Sequence, residues 1–193
     1  MNYWKIDKED VCNGEGLRVV LWLSGCSHKC NGCQNPQTWD VNSGIPFDEA
    51  AKEELFRELD KDYISGLTLT GGDPLYESNL DDVLDLVNRI RLSCPGKTIW
   101  LYTGYKAIGL SEGFWGLEPN VISDKVLDPD ELVKGINNCK KRSDIIRQCN
   151  VLIDGQYIDS QKDITLAYRG SKNQRLINIQ ESLQKGEIVL WQT

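Results

Sequence analysis

The chain has 193 residues, with 22 Lys plus Arg against 29 Asp plus Glu and a formal net charge of −7. This balance argues against a wide phosphate-binding face, and so against nucleic acid as a partner. Its 40% hydrophobic and 26% charged residues suit a soluble globular protein long enough to bury a core without disulfide staples.

The opening MNYWKIDKED is charged and lacks the apolar centre of a signal peptide. No apolar run approaches the roughly 18 residues of a membrane span. The expected setting is the cytoplasm, away from membranes. There thiols stay reduced, so seven cysteines argue for metal or redox chemistry rather than a disulfide framework.

In chain order, LRVVLWLSG (17–25) is a short β-branched run ending in Gly and reads as a buried strand. FDEAAKEELFRELD (47–60) sets Phe47, Ala51, Leu55 and Leu59 on one helical face, with Asp48 and Glu49 at the positive end of the dipole. ISGLTLTGG (64–72) is a second strand. NLDDVLDLVNRIRLSCPG (79–96) is a helix with Leu80, Val83, Leu84, Val87 and Ile90 on one face, stopped by Pro95 and Gly96. KTIWLYTG (97–104) is a third strand. From 105 to 127 no pattern is legible beyond the apolar-aromatic patch GFWGL, read as a satellite core under a long connection. A helix starts at Asp128, with Pro129 in its first turn and Glu131 placed for a capping box. NVLIDG (150–155), ITLAYRG (164–170) and GEIVLWQT (186–193) read as further strands.

Strands and helices that alternate in this way predict an α/β fold with parallel strands, either an open sheet or a barrel. The unusual loops then fall on one edge. The cysteine loop follows the first strand, GGDP the second, TGY the third, DG the fourth and RGS the fifth. Chemistry in such folds sits past the C-terminal ends of the strands.

SGCSHKCNGCQNPQTWD (24–40) holds Cys26, Cys30 and Cys33 in the spacing C-x3-C-x2-C, with the chain's one histidine, His28, among them. Thiolates select zinc, copper(I) or iron–sulfur clusters. Three of them can hold a four-iron cluster and leave one iron open. A Cys3His zinc site is the alternative, although ligands at every second position would be crowded. Packed core thiols fit poorly with neighbours such as Ser27, Lys29, Asn31 and Gln34.

Cys26, Cys30 and Cys33 after a first strand, followed by Gly71-Gly72-Asp73-Pro74 after a second, resemble the radical S-adenosylmethionine superfamily. NGEGLR, the cysteine loop, GGDPL, LYTGY, VLIDGQY and RGSKNQR, in that order, are similar to one branch of it, the activases of anaerobic (class III) ribonucleoside-triphosphate reductases. These motifs run from near the N-terminus to about residue 176.

The resemblance implies one domain over 1–193, a partial (βα) barrel of the radical S-adenosylmethionine type, with an insertion around 105–149. At 193 residues the chain is shorter than the ~250 of a complete barrel. It implies that Cys26, Cys30 and Cys33 ligate a 4Fe-4S cluster whose open iron takes the amino and carboxylate groups of S-adenosylmethionine. Gly71, Gly72 and Asp73 would lie along the methionine end of that cofactor, and Gly32, Cys33 and Gln34 beside it. Gly32 stands where many superfamily members have an aromatic, so adenine needs another stacking partner.

The implied activity is reductive cleavage of S-adenosylmethionine to a 5′-deoxyadenosyl radical that generates the glycyl radical of the reductase, with no catalytic acid or base from this chain. The implied partners are the reductase's glycyl radical subunit, a small flavoprotein electron donor, and either a second copy or the reductase in a heterotetramer. Activation of another glycyl radical enzyme, such as pyruvate formate-lyase, is the alternative within the same chemistry; a non-catalytic zinc module is the alternative outside it.

The remaining features have plainer readings. His28 is read as a loop residue near the cluster rather than a ligand. Cys139, in line with Leu132 and Ile136, is read as a core thiol, and Cys94 as an inert residue at a helix stop. Cys12 and Cys149 carry no assignment. Asp154 and Gly155 form a turn on the expected edge. Arg169, Lys172 and Arg175 lie either in a solvated loop or against an acidic partner or the cofactor carboxylate.

Overall fold

The structure is a computed structural model that describes residues 1–111, 114–117 and 128–192. In chain order the elements are β1 (Asn2–Asp10), β2 (Arg18–Leu23), β3 (Ile45–Pro46), α1 (Glu49–Leu59), β4 (Gly66–Gly71), α2 (Leu80–Ser93), β5 (Thr98–Tyr102), β6 (Ala107–Ser111), β7 (Phe114–Leu117), α3 (Pro129–Gln148), β8 (Val151–Asp154), β9 (Arg175–Asn178) and α4 (Ile179–Lys185). Among the described residues, seven strands form one sheet in the order β3-β1-β2-β4-β5-β8-β9, and β6 and β7 form a separate hairpin.

The fold is mixed α/β with a largely parallel central sheet. β2, β4, β5 and β8 run parallel in that order, joined through α1, α2 and α3, as the alternation predicts. Antiparallel strands flank them, β1 on β2 and β9 on β8. The four central strands are largely buried and rich in β-branched and apolar residues, with Thr68 and Thr70 of β4 buried as well.

One face of the sheet carries Val19, Leu21, Leu67, Leu69, Ile99, Leu101 and Leu152 against Leu55 and Leu59 of α1, Val83, Val87 and Ile90 of α2, and Ile145 and Ile146 of α3. The other face carries a smaller cluster, Trp100, Val151, Ile153 and Leu176, with Tyr102, Tyr168 and Trp191 packed on it. The guanidinium of Arg18 is buried beside this second cluster, 5.3 Å from the Trp100 ring. It donates to Thr68 Oγ1, Thr98 Oγ1 and the carbonyls of Leu67 and Glu15, all neutral acceptors. Burial lowers its pKa to about 10.

The helices start where their caps predict. Asp48 accepts from the Ala51 amide at 2.9 Å and Asp128 from the Asp130 amide at 3.0 Å. Phe47, Ala51, Leu55 and Leu59 are all buried. In α2, Leu86 is buried and Leu84 only partly so.

Several expectations need correction. The segment 164–170 is not a strand: it is a turn-rich loop closed by a bridge between Lys162 and Ser171, with Ile164 90% exposed. The C-terminal GEIVLWQT is not one either. Within it Gly186, at φ 71, caps α4, and Leu190 makes a single bridge to Ile177. The fifth strand of the expected series is β9, only four residues long.

Cys139 is exposed, not a core thiol, and its neighbours Leu132 and Ile136 are 50% and 60% exposed. Only the C-terminal half of α3 meets the core. In the GFWGL patch, Gly113 lies outside the described residues, while Trp115 is buried in the main core and its amide donates to Ser143 Oγ at 3.0 Å. Among the described residues no helix is long and apolar enough to cross a membrane.

Candidate iron–sulfur centre

The parallel strands end together, at Leu23, Gly71, Tyr102 and Asp154. Since β9 runs the other way, its first residue, Arg175, pairs with Asp154 on the same edge. This brings the RGS loop to the expected edge although it follows no strand of the predicted kind.

The cysteine loop leaves β2 and is pinched shut at its base. The Gly25 amide donates to the Thr38 carbonyl at 2.8 Å and the Cys26 amide to the Trp39 carbonyl at 3.0 Å. Asn79 Nδ2 donates to the Ser24 carbonyl at 2.8 Å. The intervening residues therefore project over the strand ends as one closed loop.

Cys26, Cys30 and Cys33 line a single cavity of about 190 Å³ together with Gln34, Gly71, Gly72 and Asp73. Of the residues expected here, only Gly32 lies outside the lining. Its missing Cβ faces Asp159 Oδ1, 2.8 Å away, on the loop after β8.

The backbone amides of His28 and Lys29 favour the Cys26 thiolate, and that of Tyr157 favours the Cys30 thiolate. The Asn35 amide lies 3.4 Å from Cys33 Sγ. Lys29 adopts a left-handed φ of 46°, the kind of turn that points successive amides at one anionic atom. Burial, then the nearby Asp73, pushes the Cys26 thiol up to about 12, and burial also raises Cys30. A low-dielectric pocket that already aims amides at its sulfurs suits thiolates whose charge a metal centre offsets. Among the described residues, no three His, Cys, Asp or Glu side chains are grouped as they would be around one metal ion.

Gly71 and Gly72 are each required by close backbone packing. A Cβ on Gly72 would lie 2.6 Å from the Gly25 carbonyl oxygen, and one on Gly71 would lie 2.8 Å from the Leu23 amide. The close approach is to the backbone of β2 and its loop. The Gly72 amide donates to Leu23 O at 2.7 Å and the Asp73 amide to Gly25 O at 2.8 Å.

The Asp73 carboxylate, also at the cavity wall, is taken up by protein donors. His28 Nε2 lies 2.8 Å from Oδ2, and Thr103 Oγ1, the Gly104 amide and the Leu75 amide complete four donors.

Trp22, Thr70 and Tyr102 have no site role on sequence grounds, whereas the TGY, DG and RGS loops are expected on this edge. Trp22, Thr70 and Tyr102 come from the second face of the sheet, alternating with core residues of the first; Asn13 comes from the loop before β2. Thr103 and Gly104 follow β5, and Gly155, Gln156 and Tyr157 follow β8. Alternation within each strand was the available signal, but it does not say that the second face encloses a cavity.

Gln174 stitches two of the loops, accepting from the Gly170 amide at 3.0 Å and donating to the Gly155 carbonyl at 3.1 Å. Arg175 pairs with Asp154, and Lys172 with Asp163 at 3.6 Å. Arg169 keeps a buried Nε with no hydrogen-bond partner among the described residues.

Comparison with known proteins agrees with this centre. A family described as a 4Fe-4S single cluster domain matches residues 12–177. The chain is 39% identical over 176 residues to an anaerobic ribonucleoside-triphosphate reductase-activating protein of Escherichia coli (strain K12), covering 90% of this chain and 96% of the relative. Proteins of the same description from Haemophilus influenzae and from Enterobacteria phage T4 are 37% and 38% identical, the latter covering 91% of this chain and 93% of the relative.

Proposed function

The chain belongs to the family of anaerobic ribonucleoside-triphosphate reductase-activating proteins, and from that premise we propose that it uses a 4Fe-4S cluster and S-adenosylmethionine to generate the glycyl radical of that reductase. One observation carries the reading. Three thiols share a cavity with the Gly71–Gly72 loop at the ends of the parallel strands.

Cys26, Cys30 and Cys33 would hold the cluster. Gly71, Gly72 and Asp73 would border S-adenosylmethionine, with Gln34 and Gly32 beside Cys33. When bound, the reduced cluster and S-adenosylmethionine supply the radical chemistry that takes a hydrogen atom from a glycine Cα of the reductase.

The chain's own work is to bind, orient and shield. The amides of His28, Lys29, Tyr157 and Asn35 offset thiolate charge. Gly71 and Gly72 let the second loop seat against the first. Trp22, Tyr102 and Tyr157 give the cavity aromatic walls that keep water from a reactive intermediate. No side chain is needed as acid or base.

A parallel run with helices on one face and a cavity on the other supports a partial barrel of the radical S-adenosylmethionine type. We take 1–193 as one such domain, with 105–149 as its insertion. The reductase is the partner that the relatives' names supply. A cytoplasmic setting, a small flavoprotein donor and a homodimer or a heterotetramer with the reductase complete the proposal.

The test is anaerobic mixing of the reconstituted, reduced protein with the reductase or with pyruvate formate-lyase. A glycyl radical signal by electron spin resonance on the reductase supports the reading. A signal on the lyase alone overturns the choice of substrate.

A further inference from the structure

We infer that His28 is a positioning residue that keeps the cysteine loop in register with the loops after β4, β5 and β8. The inference rests on the activase reading above.

Ser27 and Lys29 on either side are exposed, yet the His28 side chain is 2% exposed. A loop residue turned inward between two cysteines invites the reading of a fourth ligand, and its surroundings argue otherwise. Nε2 lies 2.8 Å from Asp73 Oδ2, on the loop after β4. Nδ1 lies 3.1 Å from Gln156 Nε2, on the loop after β8. The Tyr105 ring meets the imidazole edge-on at 4.7 Å, and a Cβ on Gly104 would come within 2.4 Å of its Cδ2. These last two residues belong to the loop after β5.

Asp73 already receives three other donors, the pattern of an acceptor-only carboxylate, so Nε2 donates to it. Nδ1 is engaged by the Gln156 side-chain amide at 3.1 Å. Both ring nitrogens are thus held by protein groups rather than turned to a metal.

The anchorage has a consequence at the sulfur. The His28 backbone N–H favours the Cys26 thiolate. Fixing the ring fixes that amide too, and hydrogen bonds to ligating sulfur are among the factors that set a cluster's potential.

The chain has one histidine, so ¹⁵N-histidine labelling gives a single pair of ring signals in the oxidised holoprotein. The expected result is a hydrogen-bonded Nε2–H and no nitrogen bound to metal. A metal-bound nitrogen, or an Nε2 with no hydrogen-bonded proton, overturns the inference.

The second arm is His28→Phe, with His28→Gln as the conservative variant, both reconstituted anaerobically. His28→Phe should keep the full iron content. It should weaken S-adenosylmethionine binding roughly 10-fold, as lost coupling between linked loops does, and lower the cluster's midpoint potential. His28→Gln should recover most of both. If His28→Phe loses iron, or matches the wild type in affinity and potential, the inference fails. If the wild type itself holds no cluster, the activase reading fails; the ring signals of the metal-free chain still decide whether His28 is paired as described.

Discussion

Arg175 grips Asp154 across the last strand pair, its Nε 3.0 Å from Oδ1, while Asp154 also accepts from the Ala107 amide at 2.9 Å. Asp154 is fully buried and ends β8; Arg175 begins β9. The pair closes the sheet edge where the RGS and DG loops meet. Arg175 is thus committed inside the chain rather than offered to a partner.

Asp154→Asn should therefore destabilise the protein by about 3 kcal/mol, the lower end of the range for breaking a buried pair from one side. Arg175→Lys, which keeps charge but not the fork, should cost less. Urea denaturation at neutral pH measures both.

Cys26→Ala, Cys30→Ala and Cys33→Ala should each abolish stable iron binding. Cys12→Ala and Cys139→Ala remove exposed thiols and should load iron as the wild type does. Iron and acid-labile sulfide assays after anaerobic reconstitution separate the two groups.

Gly72→Ala places a methyl 2.6 Å from the Gly25 carbonyl, whereas Gly96→Ala meets nothing within 4 Å. The first should cost about 1–3 kcal/mol, as overpacking does, and weaken S-adenosylmethionine binding by shifting the cysteine loop. The second should be close to neutral. Thermal melts and equilibrium binding test the contrast.

Cys149 is buried, and burial pushes its thiol from 9.0 up to about 12. The native state holds this proton more tightly than the unfolded chain. Its contribution to stability is full below pH 9 and is lost as pH rises from 9 toward 12. Wild type minus Cys149→Ala, compared at pH 8 and pH 10.5 by denaturant midpoint, should shrink with pH. Under native conditions at pH 8, iodoacetamide should label Cys12 and Cys139 and leave Cys149 untouched until unfolding.

The four parallel strands were legible because each carries buried, largely β-branched or apolar residues bounded by Gly or polar loops. β1 was not. It lies between β2 and the two-residue β3, buries only Tyr3, and its remaining residues are largely charged. β9 was hidden because four residues, RLIN, follow directly on a polar loop. ITLAYRG misled because its β-branched composition suits a strand, while Ile164 is in fact exposed and Tyr168 takes a left-handed φ of 56° to pack on Trp100.

At the site, spacing alone marked Cys26, Cys30 and Cys33. The tie from His28 to Asp73 and Gln156 spans 45 and 128 residues, and no local pattern carries it. Asp73 was expected at the cofactor. The donors of Thr103, Gly104 and His28 give it a second task that only the folded chain reveals.

The most direct measurement is Mössbauer spectroscopy of the protein reconstituted with ⁵⁷Fe, before and after S-adenosylmethionine is added. The account predicts roughly four irons per chain, one of which changes its signal when the cofactor arrives. A colourless protein holding a single zinc, or a cluster in which no iron responds because a fourth side chain caps it, would contradict the account.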